Sequence, residues 1–320
     1  MAEDIFLTGK FDGRYSAFIE TVAGHRAKLH RYCSRMTGSV LDGEDVMQDV
    51  LFEAYRKLDQ LQDNESLGPW LFRIAHNRCI DFIRKRTVRK VKEAAAAETD
   101  VLPETELYGP GISRALERLV ISLPPKERGC VLLKDVFDYS LEEIAGLVAS
   151  SVGGVKAALH RGRAKLAALP NGPAGMSAAN NAMLELHALY VDRFNRQDWD
   201  GIRQLISDDA RLMITNLYAG PAVMNYFTRF ELMSYPRKLI TARLDGESIL
   251  VLLGGLAPEM VPTVIVRLES NGNSIHMIRH YTGCPWIFAA TEALDPEFTG
   301  LTTFSGLYSH RQRAEQLPEF

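Results

Sequence analysis

Two stretches of the chain carry the residue types needed for chemistry on a polyanion. Trp70 to Arg86, WLFRIAHNRCIDFIRKR, sets Trp70, Leu71, Ile74, Ile80 and Ile83 at helical spacing and turns Arg73, Asn77, Arg78, Asp81 and Arg84 to another side. Guanidinium and ammonium groups neutralise phosphates, an Asn amide can read a base edge or line a pocket for an unstacked base, and an aromatic ring can stack on one. A buried packing role is the commoner fate of a lone Trp, and a lone Asn is often a plain surface residue. The second stretch, Ser151 to Lys165, holds Lys156, His160 and Arg163 at i, i+4 and i+7, with Arg161 beside them and no acid. From Trp70 to Lys92 there are eight Arg or Lys and one Asp, so the total charge of −3 hides a strongly basic segment.

Both stretches need helices to hold them. Leu141, Ile144, Ala145 and Val148 form one inner face, Ala149 to Ser151 a turn, and Val152, Val155 and Leu159 a second inner face, which is helix-turn-helix grammar. A basic outward face on the second helix suits a major groove; the plainer alternative is a solvated face on a small bundle. Asp138-Tyr139-Ser140 and Ser150-Ser151 read as turns with caps, and Leu123-Pro124-Pro125 as a helix start. Upstream, Asp42 is placed to cap a helix with Glu44 and Asp45 in its first turn. Val46, Val50, Ala54 and Leu58 face inward there, and Gln48, Asp49, Glu53 and Arg56 outward. Gly68-Pro69 breaks the chain before the first basic helix.

The length of 320 residues, with 46% apolar and 24% charged residues, fits a globular chain of two or three domains. The Ala-rich acidic stretch and Pro/Gly cluster at 93–111 and the PNGPAG run near 170–175 read as tethers. Beyond them, Ala182 to Leu205 reads as one or two amphipathic helices. Strands follow at 211–215, 238–244, 248–253, 261–269 and 274–281, with Asn271-Gly272-Asn273 as a hairpin turn and 291–320 as a loosely packed tail. Cys33, Cys79, Cys130 and Cys284 lack paired spacing and read as reduced apolar fillers, so neither a metal site nor a cofactor is expected. No run reaches a membrane span and no signal pattern opens the chain, so a cytoplasmic protein with no membrane contact is expected.

DGEDVMQDVLFEAYRKLD, then WLFRIAHNRCIDFIRKR, then LPPKERGCVLLKDVFDYSLEEIAGLVASSVGGVKAALHRGRAKL together resemble regions two and four of an extracytoplasmic-function bacterial sigma factor, over about residues 11–169. AMLELHALYVDRFNRQDWDGIRQLISDDARLMI and IHMIRHYTGCPWIF resemble a SnoaL-like domain over about 180–290, with Asn195 to Trp199 the most telling piece. The expected fold is two all-α domains, region 2 at 11–92 and a helix-turn-helix region 4 at 112–169. An α+β SnoaL-like cone with a curved antiparallel sheet follows at 180–290, with linkers at 93–111 and 170–179 and a tail at 291–320.

The resemblance implies a role for each surface. Asp45, Gln48 and Asp49 match the surface that binds the β′ clamp helices of core RNA polymerase. Trp70, Arg73, Asn77, Arg78, Arg84, Lys85 and Arg86 match the segment that melts and captures the promoter −10 element, with Asn77 at the flipped-base pocket. Ser151, Lys156, His160, Arg161 and Arg163 match the −35 recognition helix, although Gly154, Ala157 and Ala158 stand where relatives often carry Thr, Ser or Arg. The cone implies control of the factor in cis, through a small ligand or a protein contact. His276 and His280, an even number apart in a strand and so on one face, and Asp208 and Asp209 are the candidates for proton transfer, which would make the cone an enzyme or a sensor attached to an ordinary DNA-binding module.

Overall fold

The computed structural model describes residues 13–61, 66–96, 123–168, 181–215, 227, 230–231, 236–244, 247–255, 260–271, 274–284, 286–287 and 294–296. The expected linkers lie outside these residues except at 93–96, as does most of the tail. The chain forms two compact units, a helical one within 12–177 and an α+β one within 178–320.

The helical unit begins with α1 (Gly13–Thr37), α2 (Val40–Arg56) and α3 (Leu67–Ala96). Gly38, with φ of +83°, ends α1 in a left-handed turn, and its N–H bonds to Ser34 O at 2.8 Å. That turn restarts the chain at once, so Ser39 rather than the expected Asp42 caps α2 and its Oγ accepts the Asp42 N–H. Asp42 lies in the first turn. Gly43 lies against α1, where a Cβ would collide with Ser34. α3 runs to Ala96, past the expected boundary at residue 92.

The second helical module is α4 (Pro125–Val131), a π-type turn at Leu132–Val136, α5 (Leu141–Leu147) and α6 (Val152–Ala167). Pro125 occupies the first turn of α4, where its missing N–H goes unneeded. α5 opens on a capping box between Ser140 and Glu143, and α6 on the Ser151 hydroxyl accepting the Gly154 N–H at 3.1 Å. Val155, Ala158, Leu159 and Gly162 face inward on α6. A Cβ at Gly162 would stand 2.9 Å from Val131 Cγ2, so this glycine sets how closely α6 approaches α4.

The two modules pack on each other. Tyr32 and Phe72 of the first meet Phe137 and Tyr139 of the second, with ring centroids 5.6 to 5.8 Å apart across the modules. The Lys28 ammonium lies 4.9 Å from the Tyr139 ring centre, 5.5 Å from Phe72 and 5.9 Å from Phe137. Arg128, 1% exposed, donates to Met36 O of α1 and to Leu123 O.

Among the described residues the α+β unit has helices α7 (Asn181–Asn195) and α8 (Trp199–Arg203) and six strands: β1 (Ile206–Ile214), β2 (Arg237–Leu244), β3 (Glu247–Gly254), β4 (Val261–Asn271), β5 (Ser274–Thr282) and β6 (Leu294–Pro296). Their order is β1-β5-β4-β3-β2-β6. The sheet is mixed rather than wholly antiparallel, because β1 runs parallel to β5. β6, within the expected tail, adds an edge to β2. Leu186, Tyr190 and Phe194 of α7 and Ile202 of α8 close one apolar core with Leu239, Leu250, Leu252, Val266 and Ile278. The Asn195 amide acts as a strand partner, donating to Leu239 O and accepting from Leu239 N, both at 2.8 Å. Asp198 then caps α8, and Trp199 meets Phe194 edge-on at 5.3 Å. Those contacts explain why Asn195 to Trp199 stands out in the sequence.

Candidate nucleic-acid interface

α3 is buried on more sides than its spacing predicts. Leu71, Phe72, Ala75, His76 and Cys79 all face inward, because α1 and α2 pack on one flank and the second module on another. Trp70, only 7% exposed, belongs to this core and presents no ring face for stacking. Arg73, Asn77, Arg84 and Lys85 are exposed. Asn77 opens on a cleft of about 390 Å³ lined also by His76, Ile80, Asp81, Lys126 and Val148. Phe72 and His76, which spacing did not single out, join α3 to the second module; their alternation with Arg73 and Asn77 is the only signal the sequence offers for them.

Two of the expected DNA cations are already engaged within the unit. Arg78 pairs with Glu53 of α2, and Arg86 donates to Asp42 at 2.7 Å. Together they clamp α3 along α2, and beside Arg78 and Lys57 the Glu53 carboxyl is held below its ordinary range despite the opposing effect of burial. Arg73, Arg84, Lys85 and Arg89 of α3 are exposed, Arg84 within 3.3 Å of Asp81 on the same helix.

His76 sits where the modules meet. Burial, reinforced by the Lys126 ammonium, lowers its pKa from 6.5 to about 4, so the ring is neutral, and its Nδ1 is hydrogen-bonded to the Tyr32 hydroxyl at 2.9 Å. His30, which donates from Nε2 to Val40 O at 3.0 Å, is also lowered, chiefly by burial. A folded pKa below the unfolded one means that the unfolded chain binds more protons between the two values. Stability is therefore full above the unfolded pKa near 6.5 and falls as pH drops toward 4. Urea unfolding should show the helical unit losing about 2 kcal/mol between pH 7 and pH 5 from His76 alone. H76N should flatten that slope, and an unchanged slope would refute the assignment.

The expected polymerase face of α2 carries Asp49, exposed, and Asp45 and Gln48, half-buried. Gln48 is oriented by its bond to Glu44 at 2.5 Å, and Glu44 is buried beside His30. Phe52, 43% exposed on the turn after Gln48, extends this face and was not expected from the sequence.

On α6, Ser151, Lys156, His160, Arg161 and Arg163 are all exposed, but their engagements differ. Arg161 and Lys165 both donate to Glu127 of α4, at 2.8 and 2.9 Å. Arg163 forks onto Asp135. Lys156, His160 and Arg163 border a groove of about 710 Å³ with Lys134 and Leu141.

In the α+β unit a β-bulge at Glu269/Ser270 breaks the alternation of β5. His280 lies opposite Val266, on the face of the apolar core, whereas His276 approaches Glu269 at 3.8 Å on the side that carries Arg279. The two histidines therefore do not share a face as expected. Asp208 and Asp209 are exposed on the edge strand β1. Among the described residues no group of three His, Cys, Asp or Glu could hold a metal ion, and no helix is long and apolar enough to cross a membrane.

The model for Sigma-70 region 2 matches residues 21–89 and that for Sigma-70 region 4 matches 113–166, so the helical unit is that of a sigma-type initiation factor. The chain is 33% identical to the ECF RNA polymerase sigma factor SigW of Bacillus subtilis over 166 residues, 48% of this chain and 89% of the relative. It is 26% identical to SigG of Mycobacterium tuberculosis over 226 residues, 62% of this chain and 60% of that protein. The chain belongs to the family of extracytoplasmic-function RNA polymerase sigma factors. A likeness to the crystal structure of SigJ from M. tuberculosis covers 86% of this chain and 99% of that one, at 17% identity and a TM-score of 0.34. Members of the family bind core RNA polymerase and promoter DNA to start transcription and are not enzymes.

Proposed function

We propose that α2 and α3 divide two tasks, with α2 engaging the β′ clamp helices of core RNA polymerase through Asp45, Gln48, Asp49 and Phe52 while α3 captures the −10 element at the Asn77 cleft. The observation that carries this reading is the difference in exposed charge on one module: Asp49 is exposed beside half-buried Asp45 on α2, while Arg73, Arg84 and Lys85 face out on α3. The Arg78 and Arg86 clamps fix the two helices against each other, so binding the polymerase would aim α3 at DNA. The α6 face takes the −35 element, with Arg161 and Arg163 serving its structure as well as its charge. The α+β unit is read as a SnoaL-like domain that regulates the factor in cis, a reading supported by its helices packed on one face of the sheet.

D49R should abolish co-purification with core polymerase, since reversing an interfacial charge costs about 2–5 kcal/mol, or at least 30-fold in affinity. D49R protein that still co-purifies in full would refute the α2 assignment. Truncation after about residue 170 should change run-off transcription from the cognate promoter; identical output from both proteins would refute regulation in cis.

A further inference from the structure

The recognition helix α6 is short of side chains that can read a base. At 100° per residue its outermost line is Gly153, Ala157, His160 and Ala164, at i, i+4, i+7 and i+11, opposite the buried Val155, Ala158, Leu159 and Gly162. Three of those four residues are Gly or Ala and make no polar contact beyond the backbone. On one flank Arg161 and Lys165 are drawn down to Glu127, which is itself 7% exposed and fixed to α4. On the other flank Arg163 is forked onto Asp135, and Lys156 and Lys134, the latter bonded to Tyr139 O, both line the groove, where their charge suits the phosphate backbone. The Ser151 hydroxyl accepts the Gly154 N–H as the helix cap.

We propose that His160 is the specificity-determining residue of this helix and that it reads a guanine of the −35 element in the major groove. This rests on α6 being the −35 reader. An imidazole N–H donates one hydrogen bond. Guanine presents two adjacent acceptors, N7 and O6, where adenine presents one acceptor and a donor, so a single donor at this place is best met by guanine. The bare methyl and glycine surface around His160 lets the helix approach closely enough for a side chain of this length to reach. Recognition at −35 is thereby concentrated on one base pair, while the flanking cations bind without regard to sequence.

The test uses the full chain with core polymerase on its own promoter, substituted one base pair at a time through the −35 element, with binding read by filter retention. Wild type should lose about 10- to 100-fold at one G·C pair and less than 3-fold at its neighbours. H160A should erase that discrimination while its affinity for the substituted promoters stays within 2-fold of wild type. H160Q should move the preference at the same pair toward adenine, because a Gln amide matches adenine's N7 and N6. H160A that weakens every promoter equally and keeps the wild-type preference would show His160 to be a phosphate anchor and overturn the proposal. No −35 preference in wild type would instead overturn the assignment of α6 on which it rests. His160 is exposed, so thermal unfolding of both variants should match wild type.

Discussion

Replacing Arg128 by Met should lower the stability of the helical unit by about 3–5 kcal/mol. The side chain is buried between the modules and donates to carbonyls on each, Met36 O from α1 and Leu123 O ahead of α4. A hydrogen bond from a charged donor contributes about 1.5–3 kcal/mol, and the substitution leaves two buried acceptors without it. Methionine fills much of the volume, so a cavity does not explain the loss. For a unit of this size the melting temperature should fall by roughly 10 °C or more. Denaturation followed by intrinsic fluorescence should also change form. Wild type should unfold in one transition, whereas R128M should separate into two, since one of the bonds removed, that to Met36 O, joins the modules. A shift below about 1 kcal/mol with a single transition would mean that the aromatic contacts alone couple them.

Asn77→Ala should leave folding intact and cut promoter opening. Asn77 is exposed and lines its cleft without anchoring any helix, so the melting temperature should not move. Loss of one polar group on a captured base is worth about 1–3 kcal/mol, or 10- to 100-fold in run-off transcription. The dependence on salt separates base from phosphate. N77A should keep the wild-type slope of log affinity against log salt, while R84A should reduce that slope by about one. Reactivity of −10 thymines to permanganate would report opening directly. If N77A opened the promoter as fully as wild type, the cleft would have no part in melting.

What the sequence displays and what it conceals divide along the range of the interaction. Caps such as Ser140 with Glu143, and Ser151, are settled within three residues, and they stand where spacing places them. The exposed faces of α3 and α6 follow from helical period and charge in the same way. By contrast, Arg78 and Arg161 look like free DNA cations because their acids are 25 and 34 residues away and nothing local announces the pairing. Trp70, Phe72 and His76 are explained only once a second module covers α3. Similarly, a single inserted residue at the Glu269/Ser270 bulge moves His276 off the face of His280, and no alternation of apolar and polar residues reveals it. The parallel pairing of β1 depends on a contact more than 60 residues distant, Ile206 with Ile275.

The packing of Tyr32 and Phe72 on Phe137 and Tyr139 also carries a calorimetric signature. Apolar area exposed to water raises heat capacity, and area buried in a complex lowers it. Any partner that holds the two modules apart must first wet these four rings. Its binding would then show a heat-capacity change smaller in magnitude than its own interface predicts, by the amount these rings contribute. A partner that grips the modules in their packed arrangement would show the full value. Isothermal titration at several temperatures thus distinguishes the two modes of binding without any structure of the complex.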